Sequence, residues 1–355
     1  MEFPLGQRLR ELPGPLLLTG HTGFKGTWMT FLLERLSIPV VGYSLEAEKD
    51  SLYDRAERIG SIPEVFADIR NYETLGNFID LHRPSAIIHM AAQPLVLRSY
   101  ENPRETFDVN VVGTVNVLDI AFKRDFVEAI IIVTTDKVYK NDNSGRAFVE
   151  TDPLEGKDPY SSSKVATEAV VTAWQQIAKI SGGPRVTSVR AGNVIGGGDF
   201  AENRIIPDII RGALTGNPVI IRNPQSTRPW QHVLDPLTGY LLLLEYALSN
   251  REMTNLNFGP KDRNLTVKEI TQFAKLYFSE LILNFEDLSP SQSTESLSLN
   301  LNSDASSRHL NWRPSFSQEQ AAKMAFIWWK KLMNNEATAQ ELCLGDIESS
   351  LKSRI

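Results

Sequence analysis

The sequence holds one cysteine, Cys343, in 355 residues, which excludes an intramolecular disulfide and a cysteine-based zinc centre. No metal is expected. A lone thiol near the C-terminus needs no role of its own, and its scarcity fits a reducing, cytoplasmic setting. No apolar run is long enough to cross a bilayer, and the first residues lack the charged-then-apolar pattern of a secretory signal. Nor is there a basic block: the net charge is −6 and the pI is near 5.6. Neither nucleic acid nor a membrane is therefore an expected partner. An anionic substrate would have to be held by a few local arginines. What is present is ordinary for a globular protein, with 42% apolar and 23% charged residues. That length and composition suit one large α/β domain or two lobes.

Short apolar runs alternate with longer amphipathic stretches through the first half. Residues 15–19, 39–43, 65–67, 86–90, 129–134 and 186–190 read as strands; residues 27–36, 72–82, 106–124 and 160–180 read as helices. Continuous apolar strands separated by helices imply a parallel sheet covered on both faces. Right-handed crossovers make this an α/β, Rossmann-like doubly wound fold. Residues 1–190 form the expected dinucleotide-binding domain. Residues 191–355 form a smaller, less regular lobe for substrate, with a tail. Residues 289–307, rich in Ser and Asn, read as an exposed loop. Residues 326–332 read as a helix with its aromatics inward, and the last dozen residues as a fraying end.

Gly20-His21-Thr22-Gly23-Phe24-Lys25-Gly26 follows the first strand and opens the first helix. Glycines let the backbone approach a pyrophosphate, and a helix N-terminus offers N–H groups and a positive dipole end. The G-x-x-G-x-x-G spacing in this strand–turn–helix context points to a dinucleotide. No carboxylate closes the second strand, although Glu46 is near, and no arginine stands there to receive a 2′-phosphate, so NAD is expected over NADP. Asp68 ends the third strand, where it is either an acceptor for adenine or a solvated strand-end carboxylate. Ala91 and Ala92 suit a flat ligand or simple tight packing.

Tyr160 and Lys164 lie four apart at the start of a helix, hence on one face. An ammonium beside a phenol favours phenolate, a competent base for a sugar hydroxyl. Thr135, Asp136 and Lys137 close the fifth strand, at the end of a parallel sheet where ligands sit. Thr135 is placed to bond a reacting hydroxyl. Asp136 and Lys137 are either an added acid and base, which a dehydratase needs and a simple alcohol dehydrogenase does not, or an exposed ion pair. Asn110, a poor mid-helix residue, either kinks its helix, holds a water near Lys164, or is merely tolerated.

Together Gly20 to Gly26, Asp68, Ala91, Ala92, Asn110, Tyr160 and Lys164 resemble the extended short-chain dehydrogenase/reductases. Longer stretches narrow the resemblance: Thr19 to Gly26, His89 to Val96, Thr135-Asp136-Lys137, Ala191 to Asp199, and Arg222 to Val233. These are similar to the nucleotide-sugar 4,6-dehydratases of that family, and among them to those acting on CDP-glucose, where Lys follows the acid as Lys137 does. The resemblance covers residues from about Leu16 to about Pro314. Val138 departs from the Cys usual there, and residues from 289 and after 332 match poorly.

The resemblance implies NAD as cofactor, bound by Gly20, Thr22, Gly23, Phe24, Lys25, Gly26, Asp68, Ile69, Ala91, Ala92, Tyr160 and Lys164. It implies a nucleotide hexose as substrate, bound by Gln93, Asn193, Arg204, Arg222, Arg228 and His232. The implied chemistry is C4 oxidation with Tyr160 as base, elimination of water across C5 and C6 with Asp136 as acid, and hydride return to C6. Lys137 is either the C5 base or an enolate stabiliser. The helices at 106–124 and 160–180 are implied as the surface of a homodimer or a dimer of dimers. Two rivals remain open: a nucleotide-sugar 4-epimerase, which would not need Asp136 and Lys137, and a cofactor-sensing regulator, which would not need Tyr160 and Lys164.

Overall fold

Seven short segments pair into one sheet: β1 (Leu16–Thr19), β2 (Val40–Ser44), β3 (Glu64–Phe66), β4 (Ala86–His89), β5 (Ala129–Val133), β6 (Arg185–Ala191) and β7 (Leu256–Phe258). This is a computed structural model that describes residues 5–250, 254–286 and 299–354. The strand order is β7-β6-β5-β4-β1-β2-β3, and every pairing in it is parallel. The central strands are apolar throughout because both faces are covered. Leu16, Leu18, Ile88 and Ile131 face one core, while Leu17, Ile87, Ile130 and Ile132 face the other. The chain reverses its direction of travel between β1 and β4, so a crevice opens at their carboxyl ends.

The helix expected at 72–82 is found as Tyr72–His82, started by Asn71, whose side chain accepts from the Thr74 amide. The helix expected at 106–124 is interrupted. It runs as Pro103–Phe107, a π turn Asp108–Val112, and Gly113–Phe122. The π turn is centred on Asn110, so the residue expected to disturb its helix does so.

The second half of the chain does not form a lobe cut off at one point. It supplies β7, and its helix Leu234–Ser249 packs on β5 and β6. The rest builds over the crevice, with helices Ile205–Thr215, Val267–Tyr277 and Gln318–Met333 and the parallel ribbon of Val219–Arg222 with Leu283–Glu286.

Two expectations for the C-terminal part are corrected. The loop expected at 289–307 lies partly outside the described residues, but from 299 the chain is ordered into a strand, Asn300–Leu301, and a helix, Asp304–Leu310. Ser306 donates to the Asn257 carbonyl on β7, a long-range bond that composition does not reveal. The fraying end is instead a helix, Ala339–Lys352, with a capping box at Thr338 and Glu341. Leu342, Cys343, Ile347 and Leu351 on it are buried. Among the described residues, no helix is long and apolar enough to cross a membrane.

Candidate active site

Each glycine of the first turn has a separate geometric reason. Gly20 has φ +72°, and a Cβ there would lie 2.7 Å from the Ala91 nitrogen. A Cβ on Gly26 would lie 2.1 Å from the Gly20 carbonyl oxygen, so the helix can pack on the strand only without a side chain. Gly23 is exposed and caps the helix Phe24–Arg35, whose first turn no side chain covers. Thr22 ties the turn to β2 through Ser44 Oγ at 2.8 Å and the Leu45 carbonyl at 3.0 Å. A helix N-terminus with no side-chain cap, behind a glycine-lined turn, fits a dinucleotide pyrophosphate.

Around this turn the other expected cofactor residues fall into place unevenly. Asp68 is half-buried, and Arg70 reaches its two oxygens with Nε and Nη2. That guanidinium holds the Asp68 carboxyl below its ordinary range. Ile69 turns its side chain inward against Gly113 and offers only its backbone. Phe24 packs toward Gly196. Ala91 and Ala92 are half-buried beside Gly20, with the Ala91 amide donating to Thr19 Oγ1.

Gln93, expected at the substrate, is built into the loop after β4. It is buried, its carbonyl oxygen accepts from the Leu95 amide, and its amide nitrogen donates to the Leu95 carbonyl and Thr106 Oγ1. Its polar groups are thus spent on shaping the loop after β4. Asn110 holds the same loop from the other side. Its Oδ1 accepts from the Gln93 amide at 2.8 Å, and its Nδ2 donates to the Gln93 carbonyl and to Ser163 Oγ. The Asn110 carbonyl, set free by the π turn, accepts from Thr114 and Thr167. Asn110 is therefore a clamp between the loop and the helix Pro159–Ser181.

That helix begins with a capping box on Asp158 and presents Tyr160 and Lys164 one turn apart, both buried. Opposite them, β5 ends and the chain makes a 3-10 turn, Asp136–Val138. Thr135 Oγ1 donates to Asp136 Oδ1 at 3.1 Å, and the same hydroxyl acts to lower the Tyr160 phenol, so Thr135 is coupled to both acid and base. Lys137, Asn193 and Arg228 line one cleft with Asp136, Val96 and Ser161.

Burial dominates the electrostatics. It pushes the Tyr160 phenol up to about 12, opposed by Thr135 and Arg204 and reinforced by Asp136. It pushes Asp136 up to about 6, against the pull of Lys137, Thr135 and Arg228. It brings Lys164 down to about 8, against the charge of Glu168. Lys25 is brought down to about 7 by burial, then by the charges of Lys164 and Arg204. Its Nζ lies 5.7 Å from the centroid of the Tyr240 ring. The direct lowering of Tyr160 by Lys164 is not found. Lys164 Nζ donates to the Val133 carbonyl at 3.1 Å, and Thr135 and Arg204 act on the phenol instead.

The second-lobe residues separate into three groups. Asn193 and Arg228 line the cleft, and Arg204 acts on its neighbourhood by charge. Asn193 has φ +25° and its carbonyl accepts from the Gln231 amide. Arg204 pairs with Asp199 at 3.1 Å and its charge reaches both Tyr160 and Lys25. Arg222 is exposed on the ribbon, and its charge reaches Asp208. His232 is corrected: its ring is fully buried, edge-on to Trp28 and Phe316, with Nε2 3.6 Å from Asp346. It packs in the core and is not among the cleft-lining residues.

Three residues outside the expected set shape the site. Gly192 lies against the Asp136 carboxylate, and Glu168 and Arg190 form a buried pair behind Lys164 at 2.8 Å. The helical spacing of Lys164 and Glu168 was a usable signal; the other two are set by strand register.

A parallel sheet whose crevice joins a glycine-lined turn to a Tyr–Lys pair places the chain among Rossmann-fold proteins with the short-chain dehydrogenase arrangement. It belongs to the NAD dependent epimerase/dehydratase family, whose model matches residues 16–259. The chain is 36% identical to a CDP-glucose 4,6-dehydratase of Salmonella typhimurium over 333 residues, covering 90% of this chain and 92% of that one. It is 31% identical to a dTDP-glucose 4,6-dehydratase of Xanthomonas campestris over 62% of this chain and 64% of that one. Among solved structures, a dTDP-glucose 4,6-dehydratase from Bacillus anthracis in complex with NAD has a TM-score of 0.75 at 21% identity, covering 90% of this chain and 97% of that one. A UDP-glucose-4-epimerase from Stenotrophomonas maltophila with bound NAD has a TM-score of 0.78 at 20% identity, covering 91% and 100%. At those identities the structures share the fold.

Proposed function

We propose that this protein is an NAD-dependent nucleotide-sugar 4,6-dehydratase whose substrate is CDP-glucose. The observation that carries the reading is that Asp136 and Lys137 line one cleft while the Asp136 charge and the Thr135 hydroxyl both act on the buried Tyr160 phenol. An oxidation alone needs Tyr160; an elimination needs a further acid and base. The Salmonella relative, similar along 92% of its length, supports the nucleotide.

The cradle of Gly20, Thr22, Gly23, Phe24, Lys25 and Gly26 would hold the cofactor pyrophosphate, with Asp68 and Ile69 toward the adenosine and Ala91, Ala92 and Lys164 toward the nicotinamide end. Bound NAD would supply a temporary hydride acceptor, so that no external oxidant is consumed. Tyr160 takes the proton of the C4 hydroxyl, aided by Thr135. Asp136, raised to about 6 by burial, holds a proton more readily than an ordinary carboxyl and delivers it to the departing C6 oxygen. Lys137 acts at C5, removing the proton made acidic by the 4-ketone or steadying the enolate. Asn193, Arg204 and Arg228 hold the nucleotide diphosphate, for which guanidinium forks are suited.

A dimer fits the surface. Phe107, Val112, Ile177 and Ile180 are exposed at 106–124 and 160–180, the helices expected to pair, and Leu97 and Tyr100 are exposed on the neighbouring helix Val96–Glu101. The single cysteine is buried, in keeping with a cytoplasmic enzyme.

The test is incubation with CDP-glucose and NAD, followed by mass spectrometry of the sugar nucleotide. Loss of one water without NADH accumulation is expected. Dehydration of dTDP-, UDP- or GDP-glucose alone would move the substrate. A changed retention time without mass loss would replace the reading with epimerisation.

A further inference from the structure

The turn that carries Asp136 and Lys137 is gripped on both sides by one buried ion pair. Glu168 lies one turn beyond Lys164 on the inner face of the helix Pro159–Ser181 and is 2% exposed. Its Oε1 accepts from Thr134 Oγ1 at 2.5 Å and from Arg190 Nε at 2.9 Å. Its Oε2 accepts from Ser188 Oγ at 2.7 Å and from Arg190 Nη2 at 2.8 Å. Arg190, on β6 and 3% exposed, uses its remaining Nη1 on the Tyr139 hydroxyl at 2.9 Å and the Glu150 carbonyl at 3.1 Å. Tyr139 in turn donates to Asn257 on β7 at 2.6 Å.

Thr134 stands just before the segment that bears Thr135, Asp136 and Lys137, and Tyr139 stands just after it. One partner of the ion pair therefore holds the entrance of the turn and the other holds its exit. Lys164 adds a third hold at the Val133 carbonyl. A buried pair of this kind is weak evidence for stability, since apolar replacements of similar volume are often as stable. Four oxygen–donor contacts converging on one carboxylate are better explained by placement. Here the placed object is a short turn whose acid and neighbouring hydroxyl both act on the Tyr160 phenol.

We infer that Glu168 and Arg190 act together as a bracket that positions the turn Asp136–Val138 against Tyr160 and Lys164. Neither touches the cleft; both are positioning residues. The charge of Glu168 also sustains the Lys164 ammonium against its burial, so the bracket has an electrostatic side as well as a geometric one. The inference rests on the proposed dehydration only for its kinetic readout.

The test uses Glu168→Gln, which keeps shape and removes charge, with Thr134→Val and Tyr139→Phe, each of which removes one hydroxyl and is the safer variant if Glu168→Gln does not fold. Wild-type turnover of CDP-glucose is measured first, so an inactive wild type would fail the functional reading alone. Crystal structures of the variants then test the bracket without any substrate. The expected result is a fall in kcat of up to about 100-fold for Glu168→Gln. KM should change by less than about threefold, because the nucleotide-binding groups are elsewhere. The basic limb of the pH–rate profile should move to lower pH as Lys164 loses its carboxylate. Thr134→Val and Tyr139→Phe should each displace the turn and, combined, give less than the product of their separate losses. Folded variants with an unmoved turn and wild-type kcat would overturn the bracket.

Discussion

The Asp136 carboxylate rests directly on Gly192: a Cβ built on that glycine would lie 1.9 Å from Asp136 Oδ2 and 2.6 Å from its Cγ. Gly192 ends β6's run into the second lobe, and Pro229 closes the far side, 3.0 Å from the same Cβ position. The acid is thus seated in a slot whose floor is bare backbone. Gly192→Ala should displace it, lowering kcat by about 100-fold while NAD binding, proposed for the Gly20–Gly26 turn, is kept. Overpacking should cost about 1–3 kcal/mol of stability. Steady-state kinetics and a urea melt would check both, and an unaltered kcat would mean that the slot is not needed.

Lys137 shares the turn with Asp136 but not its seat. It is half-buried on the cleft wall, away from the Gly20–Gly26 cradle. Lys137→Met keeps the stem and removes the amine. Cofactor affinity, followed by titration of intrinsic fluorescence, should stay within about twofold, while dehydration is lost. Retention of most kcat would remove Lys137 from the chemistry.

Arg228 and Arg222 lie close in sequence and differ in position. Arg228 lines the cleft and its charge lowers Asp136, whereas Arg222 is exposed on the ribbon. Arg228→Ala should raise KM by about tenfold, equivalent to about 1.4 kcal/mol of lost binding. It should also lower kcat, through the acid it no longer tunes. Arg222→Ala should leave kcat unchanged. Equal effects on kcat from both variants would mean that Arg228 does not reach the acid.

What could be read in the sequence follows from the range of the forces involved. The helix at 72–82 was legible to the residue because its start signal, Asn71, and its apolar spacing are local. The strands β1, β4 and β5 were legible because burial on both faces leaves an unbroken apolar run. Tyr160, Lys164 and Asp136 were legible because each sits at a strand end or helix start. Long-range pairing was not. Nothing near Leu256 announces that it joins Val189 across the sheet. His232 looks like a ligand-binding residue beside Arg228 until its ring is seen between Trp28 and Phe316. Gln93 looks like a substrate contact until each of its polar groups is found in use. The π turn at Asn110 was half legible: its residue type signalled a disturbance, but the partners Gln93 and Ser163 come from other elements.

The seat of Asp136 should also be visible in stability. Burial holds this carboxyl at about 6 in the folded protein, against about 3.9 in an unfolded chain. Between those values the folded state binds the proton and the unfolded state does not. Stability from this group is therefore full below about pH 4, falls as the pH rises toward about 6, and stays low above it. The difference of about two units corresponds to about 3 kcal/mol at pH 7.5, and to about half that at pH 5. Asp136→Asn has no proton to lose. It should be inactive in dehydration, yet more stable than the native chain at pH 7.5, with the advantage shrinking at pH 5. Urea unfolding at the two pH values would check this. An advantage that is equal at both, or absent at pH 7.5, would show that Asp136 is not held protonated by its surroundings. It would then lack the property that suits it to give a proton to the C6 oxygen.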